Sequence, residues 1–424
     1  MSQRQFKIAK IILLSFGGGI IYVLPYLRFG FWDAMINNLN LTNTQLGEIG
    51  AIYGLFAIPS YFIGGVLADK FSPRKLLAIS FLVTGLFGFY FASLPGYIAL
   101  LIIHAIWGIS TSLTFWCAFQ ALTRLSASPD HQARAFGIVT GGRSLLYVLI
   151  SSFAIWVSTF YVDGETGLSV AITVISAIYC MIGLLFIIFW KEDKGSEVKN
   201  ESKKFKLENL KEVLRMPEVW ALSAMLFAVH YTLRLGDVFT PFASSTSGLA
   251  VTAAIAGVIG TIKQYGMAPF GGLIAALFAD KVGRIRFSIL AMVVTIGMAA
   301  GLLLTPTSAT IFSVILLLGF MMFCWTAYML VFSILDDARI PDQYSGTVIG
   351  IVSGLGFLSE PASNYTVGRI LDAYAGLASF HMVFKLMIGG SIATIICYLV
   401  CARLIAAKKS GQPAPDLPAR NNAL

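Results

Sequence analysis

Two arginines lie inside long apolar stretches of the chain, where a charged side chain needs a specific reason to be. Arg28 belongs to YVLPYLRFGFWDAM (22–35), and Arg234 belongs to HYTLRLGDVFTP (230–241). A lone arginine within a membrane helix costs at least about 2.5 kcal/mol on insertion scales, so it normally faces the protein interior and serves a function. Because a guanidinium presents a planar fork that fits a carboxylate or a phosphate, the two arginines predict a binding site for an anion.

Other side chains in apolar segments could complete this anion site. Tyr231 stands three residues before Arg234, on the same face of a helix. Tyr22 and Tyr26 share one helical stripe, although Pro25 can kink the helix and change the phase of Arg28. Two more cations stand in TGGRSL (140–145) and GTIKQY (260–265). The predicted substrate-binding residues are Arg28, Arg234, Tyr231, Tyr22, Tyr26, Arg143 and Lys263.

Carboxylates in apolar segments have two possible roles. They could form internal ion pairs, Arg28 with Asp33 and Arg234 with Asp237, or one of them could carry a coupling proton. Glu360 could instead hold helices together as the partner of another buried cation, Arg143 or Lys263. If all are ionised, four bases against three acids leave one positive charge for an anionic ligand to neutralise. The proton-coupling candidates are Asp33, Asp237, Glu360 and His104.

Composition places the whole chain in a membrane. The 424 residues are 57% hydrophobic and 12% charged, whereas soluble domains are about 45–50% apolar and about 25% charged. The apolar runs are continuous and long enough for a hydrocarbon core of about 30 Å, which predicts helices and not the alternating strands of an outer-membrane barrel. Twelve predicted segments, named spans 1 to 12, cover 9–37, 44–69, 75–95, 97–123, 133–161, 168–190, 217–244, 248–279, 286–305, 308–336, 343–370 and 378–406.

Basic residues indicate the orientation of the spans. With the N-terminus in the cytoplasm, 24 of the 30 Lys and Arg fall in cytoplasmic segments, two fall outside and four lie within spans. This asymmetry follows the positive-inside rule, and it accounts for the net charge of +9 without nucleic acid. We predict a monomeric, multi-pass inner-membrane protein with both termini cytoplasmic. Its expected partners are membrane lipid, an anionic small molecule, and a coupling proton or counter-anion.

A charged stretch divides the chain in the middle. KEDKGSEVKNESKKFKLENLKEVLR (191–215) separates six spans from six more, and its amphipathic end suits a position along the membrane surface. The Pro, Ala and polar composition of the last residues is typical of disorder. The predicted organisation is an N-terminal six-helix bundle (1–190), a cytoplasmic linker (191–216), a C-terminal six-helix bundle (217–406) and a disordered cytoplasmic tail (407–424).

The two halves share a repeated motif. GGVLADKFSPRK (64–75) ends span 2, and ALFADKVGRIR (276–286) ends span 8. Each combines a helix end with small residues, Ala-Asp-Lys, and a short basic turn. Arg28 precedes Asp69 by 41 positions, and Arg234 precedes Asp280 by 46, so the charged stretches of spans 1 and 7 are counterparts as well. An internal duplication explains both repeats and predicts two pseudo-symmetric halves.

This motif and the layout of the spans resemble the major facilitator superfamily. The signature of that family after its second helix is G-x-L-A-D-R/K-x-G-R-K, and the chain matches it at Gly65, Leu67, Ala68, Asp69, Lys70, Arg74 and Lys75, with Ser72-Pro73 at the glycine position. The resemblance implies two six-helix bundles that rock around a central substrate site, with this loop as an inner gate. The gating residues it implies are Gly65, Asp69, Lys70, Arg74, Lys75, Asp280, Lys281 and Arg284.

One branch of that superfamily, the organophosphate:phosphate antiporters, is similar around both arginines. That branch holds phosphate with one arginine in its first helix and one in its seventh. The chain has a similar YxxRxG pattern from Tyr231, and Arg28 matches the first-helix arginine in position. It departs from the branch near Tyr61, where the branch has a lysine, and near Arg143, where the branch has a histidine.

The predicted fold is an all-α membrane protein with twelve transmembrane helices in two pseudo-symmetric six-helix bundles. The predicted function is secondary active transport, by symport or antiport, of a small organic or phosphorylated anion through alternating access. The alternatives are proton-coupled efflux of drugs or other solutes, and a ligand sensor that does not transport. An enzyme is not expected, and neither a cofactor nor a metal is predicted, because the sequence lacks a P-loop, a nucleophile elbow and a His pair at metal-binding spacing.

Overall fold

A computed structural model of the protein describes residues 3–125, 132–189, 210–337 and 344–410, which are almost entirely helical. The helices of the N-terminal half are α1 (Gln3–Ile20), α2 (Arg28–Asn38), α3 (Asn43–Lys70), α4 (Pro73–Ala92), α5 (Tyr97–Ile109), α6 (Cys117–Leu125), α7 (Gln132–Ser158) and α8 (Gly164–Phe189). Those that follow are α9 (Leu210–Val213), α10 (Pro217–Leu235), α11 (Phe239–Ser244), α12 (Ala253–Thr261), α13 (Met267–Val282), α14 (Arg284–Leu304), α15 (Thr310–Asp337), α16 (Ser345–Phe357), α17 (Ser359–Ala373) and α18 (Leu377–Ser410).

These helices form the twelve predicted spans. Eight helical segments of the described chain are long and apolar enough to cross a membrane, and they correspond to spans 3 to 7, 9, 10 and 12. Span 2 is the 28-residue helix α3, whereas spans 1, 8 and 11 are each built from two consecutive helices. Span 8 begins later than predicted, because a turn precedes Thr252, whose Oγ1 caps α12. The predicted all-α fold is confirmed, while most of the linker and the tail lie outside the described residues.

Polar side chains at the span ends satisfy backbone groups that no helical partner can reach. Ser72 accepts the backbone N–H of Lys75 at the start of α4, where Pro73 occupies the first helical position. Asp163 does the same for α8, accepting the backbone N–H (3.1 Å) and the hydroxyl (2.6 Å) of Thr166. Each cap belongs to the half in which its helix lies, so each stabilises that half alone.

Within each half, long helices pack side by side around an aromatic core. In the N-terminal half α4 packs on α8, α1 on α7 and α3 on α5, and in the C-terminal half α14 packs on α15 while α10 and α14 pack on α18. The ring of Phe81 contacts those of Phe115, Tyr179 and Phe186 at 5.8 Å between centroids. Large apolar side chains such as Leu86 point outward, as expected of a lipid-facing surface.

Close contacts between the halves concentrate at one end of the bundle, where α3 begins and α17 ends. Glycines allow the backbones of these helices to approach each other. A Cβ on Gly47 would lie 2.4 Å from the carbonyl oxygen of Asn364, and one on Gly368 would lie 2.4 Å from that of Asn43. On the neighbouring pair, a Cβ on Gly257 of α12 would lie 2.3 Å from the carbonyl oxygen of Gly30 in α2.

A carboxylate from one half caps a helix of the other at this end. The Oδ1 of Asp372 accepts the backbone N–H (3.1 Å) and the side-chain amide (2.9 Å) of Asn43. Its Oδ2 accepts the backbone N–H (2.7 Å) and the hydroxyl (2.6 Å) of Thr44. The side chain of Trp32 holds Asn43 in place by donating to its Oδ1 at 3.1 Å. We call Asn43, Thr44 and Asp372 the latch, since they join the start of α3 to the end of α17.

Candidate functional site

Interruptions of the helices place the predicted charges at the centre of the protein. Residues 21–27 form turns between α1 and α2, and Arg28 begins α2. The hydroxyl of Tyr179 compensates the broken backbone by accepting the N–H of Leu24 and donating to the carbonyl of Ile20. Irregular backbone at membrane depth is tolerated where protein surrounds it in this way. The break therefore turns the Arg28 side chain toward the interface between the halves.

Similar interruptions carry the charges of spans 7 and 8. Asp237 lies in a 3-10 turn (Gly236–Val238), and Lys263 lies in a π-helical turn (Ile262–Gly266). Such π-helical turns are frequent at functional sites because they redirect a side chain without ending the helix. Lys263 Nζ donates to Asp237 Oδ1 at 2.9 Å, and both side chains are almost completely buried. This pair is an internal ion pair within the C-terminal half.

Span 11 supplies the partner of Arg234. The helix breaks after Phe357, and α17 starts with Glu360 in its first turn. Arg234 Nη2 lies 3.3 Å from Glu360 Oε1. The pairing therefore differs from both arrangements considered from the sequence, since Arg234 pairs with Glu360 and not with Asp237. Among the described contacts, Glu360 forms no ion pair with Arg143 or Lys263, the two partners considered from the sequence.

Arg28 has neutral neighbours. Its Nη2 donates to Asn364 Oδ1 at 3.3 Å across the interface between the halves, and its Nη1 donates to the carbonyl of Pro25 at 3.4 Å. In the described part of the chain no carboxylate lies within 4.0 Å of this guanidinium. Gly50 of α3 makes room for it, because a Cβ there would lie 2.7 Å from Arg28 Cζ. The Arg28–Asp33 ion pair considered from the sequence is absent from the described contacts.

The two central arginines converge on one aromatic ring. Arg28 Cζ and Arg234 Cζ each lie 5.4 Å from the ring centroid of Tyr26. The ring of Phe29 is 4.6 Å from Arg28 Cζ and 4.7 Å from Lys263 Nζ. Three cations from spans 1, 7 and 8 therefore surround two rings of span 1. All of these distances are short enough for the face of an aromatic ring to stabilise a cation. Arg28 and Arg234 are only 3% and 7% exposed.

Arg143 lies apart from these pairs, against a different set of rings. Its Cζ is 5.3 Å from the ring of Trp116, 5.7 Å from that of Tyr22 and 5.8 Å from that of Tyr265. We call these three rings the aromatic box. No carboxylate of the described residues lies within ion-pair distance of Arg143, and its buried Nε has no hydrogen-bond acceptor there.

Several buried donors near the charges also lack an acceptor in the described structure. Arg234 Nε and Nη1 are among them, as are Gln264 Nε2 and Asn364 Nδ2. Unsatisfied buried donors cost about 1–3 kcal/mol each, and more when the group is charged. Among the buried carboxylate oxygens described, Asp237 Oδ2 lacks a hydrogen-bond donor, and Glu360 Oε1 has the ion-pair contact with Arg234 but no hydrogen bond. A ligand rich in oxygen acceptors would satisfy such a site.

The remaining predicted site residues lie at its margins. Asp33 is half-buried beside Ser244, outside the central cluster. Tyr231 stacks on Phe227 at 6.0 Å, whereas its neighbour His230 is the one that faces span 11 and bonds Ser359.

His104 is packed inside the N-terminal half. Its Nδ1 lies 2.8 Å from the carbonyl oxygen of Leu100, and its ring meets Phe91 and Trp107. These contacts favour a structural role for His104 over proton transfer.

The gating motif is described only in part. Gly65, Asp69 and Lys70 fall in the last turns of α3, and their side chains lie outside those the structure describes. In the second copy, Arg284 Nη1 donates to the carbonyl of Ser333 at 2.7 Å, which ties α14 to α15. Arg284 Nε also lies 3.9 Å from the exposed carboxylate of Asp280. Lys281 is exposed, Arg74 and Lys75 begin α4, and the gating role of all these residues stays a prediction.

Sequence reasoning missed several residues that the structure brings to the site. Asn364 follows Glu360 by four positions and Tyr147 follows Arg143 by four, so helical spacing could have identified both. Tyr147 packs on Tyr265 at 4.3 Å, which joins span 5 to span 8 beside the aromatic box. No sequence signal pointed to Ser359, because its partner His230 lies on a different span.

Comparison with known proteins identifies the family. A family model described as Major Facilitator Superfamily matches residues 10–363. The chain belongs to the Major Facilitator Superfamily. It is 30% identical to the inner membrane protein YqcE of Escherichia coli (strain K12) over 380 residues, which cover 88% of this chain and 89% of YqcE. It is 27% identical to the inner membrane protein YihN of the same organism over 418 residues, which cover 97% and 99%.

Further matches agree with this membership. The crystal structure of the nucleoside transporter NupG superimposes with a TM-score of 0.75 over 95% of this chain and 100% of NupG, at 14% identity, which shows the shared fold. A probable hexose phosphate transport protein of Chlamydia pneumoniae is 32% identical over 100 residues, or 23% of this chain and 21% of that protein. The protein is therefore a multi-pass inner-membrane transporter of the major facilitator fold and not an enzyme, as the sequence predicted.

Proposed function

We propose that this transporter moves a small organic or phosphorylated anion by alternating access, through a site between Arg28 and Arg234. The observation that carries the proposal is the convergence of these two buried guanidinium groups, one from each half, on the ring of Tyr26. A guanidinium binds carboxylate or phosphate through two parallel hydrogen bonds. An anion held by both arginines would contact both halves at once, as a substrate must in a rocking mechanism.

The balance of buried charge supports an anionic substrate. Arg234 with Glu360, and Lys263 with Asp237, form two neutral pairs. Arg28 and Arg143 remain without a carboxylate partner in the described residues, so the site carries more positive charge than the single excess expected from the sequence. Because uncompensated charge is costly inside a membrane, a ligand with negative charge would stabilise this arrangement.

The phosphorylated class has additional support from one relative. The local similarity to a probable hexose phosphate transport protein covers 100 residues of this chain. It agrees with the resemblance of Arg28 and the Tyr231 pattern to the organophosphate:phosphate antiporters. This similarity supports a phosphate ester as one candidate among organic anions, which a transport assay must separate.

Orientation, domain boundaries and coupling belong to the same proposal. With cytoplasmic termini, the end that holds the latch faces outward, so the described conformation is closed to the outside. The two bundles would comprise 1–190 and 217–406, joined by the linker 191–216 and followed by the tail 407–424. We propose a monomer driven by a proton or a counter-anion, with Glu360 as the strongest coupling candidate because its carboxylate competes with the substrate for Arg234.

Counterflow in proteoliposomes tests the proposal. Vesicles are loaded with one of a panel of unlabelled sugar phosphates, glycerol 3-phosphate or dicarboxylates, and uptake of the labelled compound is measured. At least one anion should exchange in the wild type. Absence of exchange for all anions, together with exchange of nucleosides or lipophilic cations, would overturn the anion assignment.

Variants at Arg28 separate a substrate contact from a structural role. Arg28→Lys keeps the charge but loses the planar fork, so we expect anion binding to weaken by about 1.5–3 kcal/mol. Gly50→Ala leaves all charges in place, yet its new methyl group would displace the Arg28 guanidinium and should also weaken binding. Arg286→Gln, an exposed arginine at the start of α14, is the matched control and should bind like the wild type. Unchanged affinity in Arg28→Lys would exclude Arg28 from the substrate site.

A further inference from the structure

We infer that Arg143 and its aromatic box form a second anion-binding subsite, so that the substrate carries two separate anionic groups. This inference rests on the proposed function, because it assigns the first group to Arg28 and Arg234. It adds a chemical class, a compound with an anion at each end, and a residue that selects for that class.

The surroundings of Arg143 resemble a binding site more than an internal ion pair. The three rings of the box come from spans 1, 4 and 8, so both halves contribute. An aromatic ring attracts the cation but offers no lone-pair acceptor, so these contacts leave the N–H donors of the guanidinium for another partner. The buried Nε has no acceptor in the described structure. An incoming carboxylate or phosphate would supply one.

Glycines of α1 and α7 keep Arg143 in this position. A Cβ on Gly18 would lie 3.2 Å from Arg143 Cδ, and one on Gly19 would lie 2.8 Å from the Arg143 carbonyl oxygen. A Cβ on Gly142 would meet Ser15 at 2.9 Å. The close approach of α1 and α7 therefore places the Arg143 side chain against span 1, where its guanidinium lies beside the ring of Tyr22.

Two stacked tyrosines connect the two subsites. Tyr22 belongs to the aromatic box, and Tyr26 lies between Arg28 and Arg234. Their ring centroids are 6.0 Å apart and the rings are stacked, so two neighbouring rings of span 1 separate the subsites. Arg143 is partly exposed, whereas Arg28 and Arg234 are almost fully buried. A ligand with an anion at each end would span this row, with its body against the tyrosines.

A matched series of probes tests this arrangement. The two-headed probes are ω-phosphonocarboxylates from phosphonoacetate to 5-phosphonopentanoate, and the one-headed probes are alkylphosphonates of equal length. Affinities are measured by isothermal titration of the detergent-solubilised full chain. We expect the wild type to prefer the two-headed probe of optimal length by about tenfold or more, since a charged hydrogen bond is worth at least that factor.

Arg143→Gln should remove this preference. Its affinity for the best phosphonocarboxylate should fall about tenfold, to that of the matching alkylphosphonate, while its affinity for the alkylphosphonate stays within about twofold of wild type. Trp116→Leu, which keeps the charge and opens the box, should reduce the same preference in part. Arg286→Gln serves as the control for loss of an exposed arginine.

The outcomes separate the two proposals. If the wild type binds one-headed and two-headed probes alike, or if Arg143→Gln weakens both alike, the second subsite is wrong while the central anion site stands. If no probe binds to the wild type, both fail. Should Arg143→Gln not fold, Trp116→Leu and Arg143→Lys provide the comparison, and retention of the full preference in both variants contradicts the inference.

Discussion

The latch offers the sharpest test of how the two halves are held together. Asp372→Asn preserves the shape of the side chain but removes its charge, and the Asn amide nitrogen cannot accept the two bonds that Thr44 donates to Oδ2. Replacing a capping carboxylate costs about 0.5–2 kcal/mol, and the exposure of Asp372 to solvent argues for the middle of that range. A loss of about 1 kcal/mol would shift the equilibrium between the closed and open end about fivefold.

Distances between spin labels measure this equilibrium directly. Exposed positions at the ends of α2 and α17, Asn37 and Tyr374, can carry the labels in a background without the native cysteines. We expect Asp372→Asn to raise the population with the longer distance about fivefold relative to wild type. The matched control is Asp163→Asn, because Asp163 caps α8 with the same chemistry but within one half. An equal effect in both variants, or none in Asp372→Asn, would refute the latch.

The latch also predicts a pH dependence. Burial raises the pKa of Asp372, but hydrogen bonds from Thr44 and Asn43 outweigh it and hold the pKa below its ordinary value. A carboxylate with a lowered pKa in the closed state favours that state above its ordinary pKa of about 3.9, and the preference disappears as the pH falls through the lowered value. The latch should therefore keep its full effect and add no pH dependence to the distance distribution at this end between about pH 5 and 8, and it should weaken only below about pH 4.

The other predictions concern the buried charges. Lys263→Met should lower the melting temperature strongly because it leaves Asp237 buried without its partner, and adding Asp237→Leu should recover most of the loss. Absence of recovery would show that the pair has a role beyond mutual charge neutralisation. Glu360→Gln should retain anion exchange but lose accumulation driven by a pH gradient, and persistent accumulation would place the coupling proton elsewhere. His104→Gln should change the transport rate by less than about twofold, since His104 contacts only packed neutral groups in the described structure; loss of proton-driven transport alone would reverse that assignment.

Much of the fold could be predicted from the sequence because the membrane imposes a simple rule. Apolar length locates the spans, and the bilayer requires that their backbones be helical. The repeated Ala-Asp-Lys motif further indicated two related halves. The interrupted helices were harder to predict, since Pro25 signals the break in span 1 but nothing comparable marks the π-helical turn at Lys263.

The ion pairs could not be predicted, because regular helical spacing fails where they occur. Arg234 and Asp237 would share a face of a regular helix, but the 3-10 turn at Gly236–Val238 changes the phase and turns Asp237 toward Lys263. Within α2, Phe31 departs from helical backbone angles (φ −125°, ψ 32°), and Asp33 lies beside Ser244 and away from Arg28. The same interruptions that make the site thus remove the periodicity from which side-chain partners are inferred.

The arrangement of these side chains suggests how binding could be linked to movement of the halves. Arg28 bonds Asn364 of the other half, and Arg234 lies against Tyr26 of the other half, so the site is built across the interface that must rearrange. The direct bond from Arg28 to Asn364 has a neutral amide as its acceptor and is 3.3 Å long, which is weak for a guanidinium. An anion bound by both arginines would replace it with stronger charged contacts from each half. We therefore propose that substrate binding favours closure of the halves around the site, while the latch, outside the site, sets how readily the end at which it lies opens.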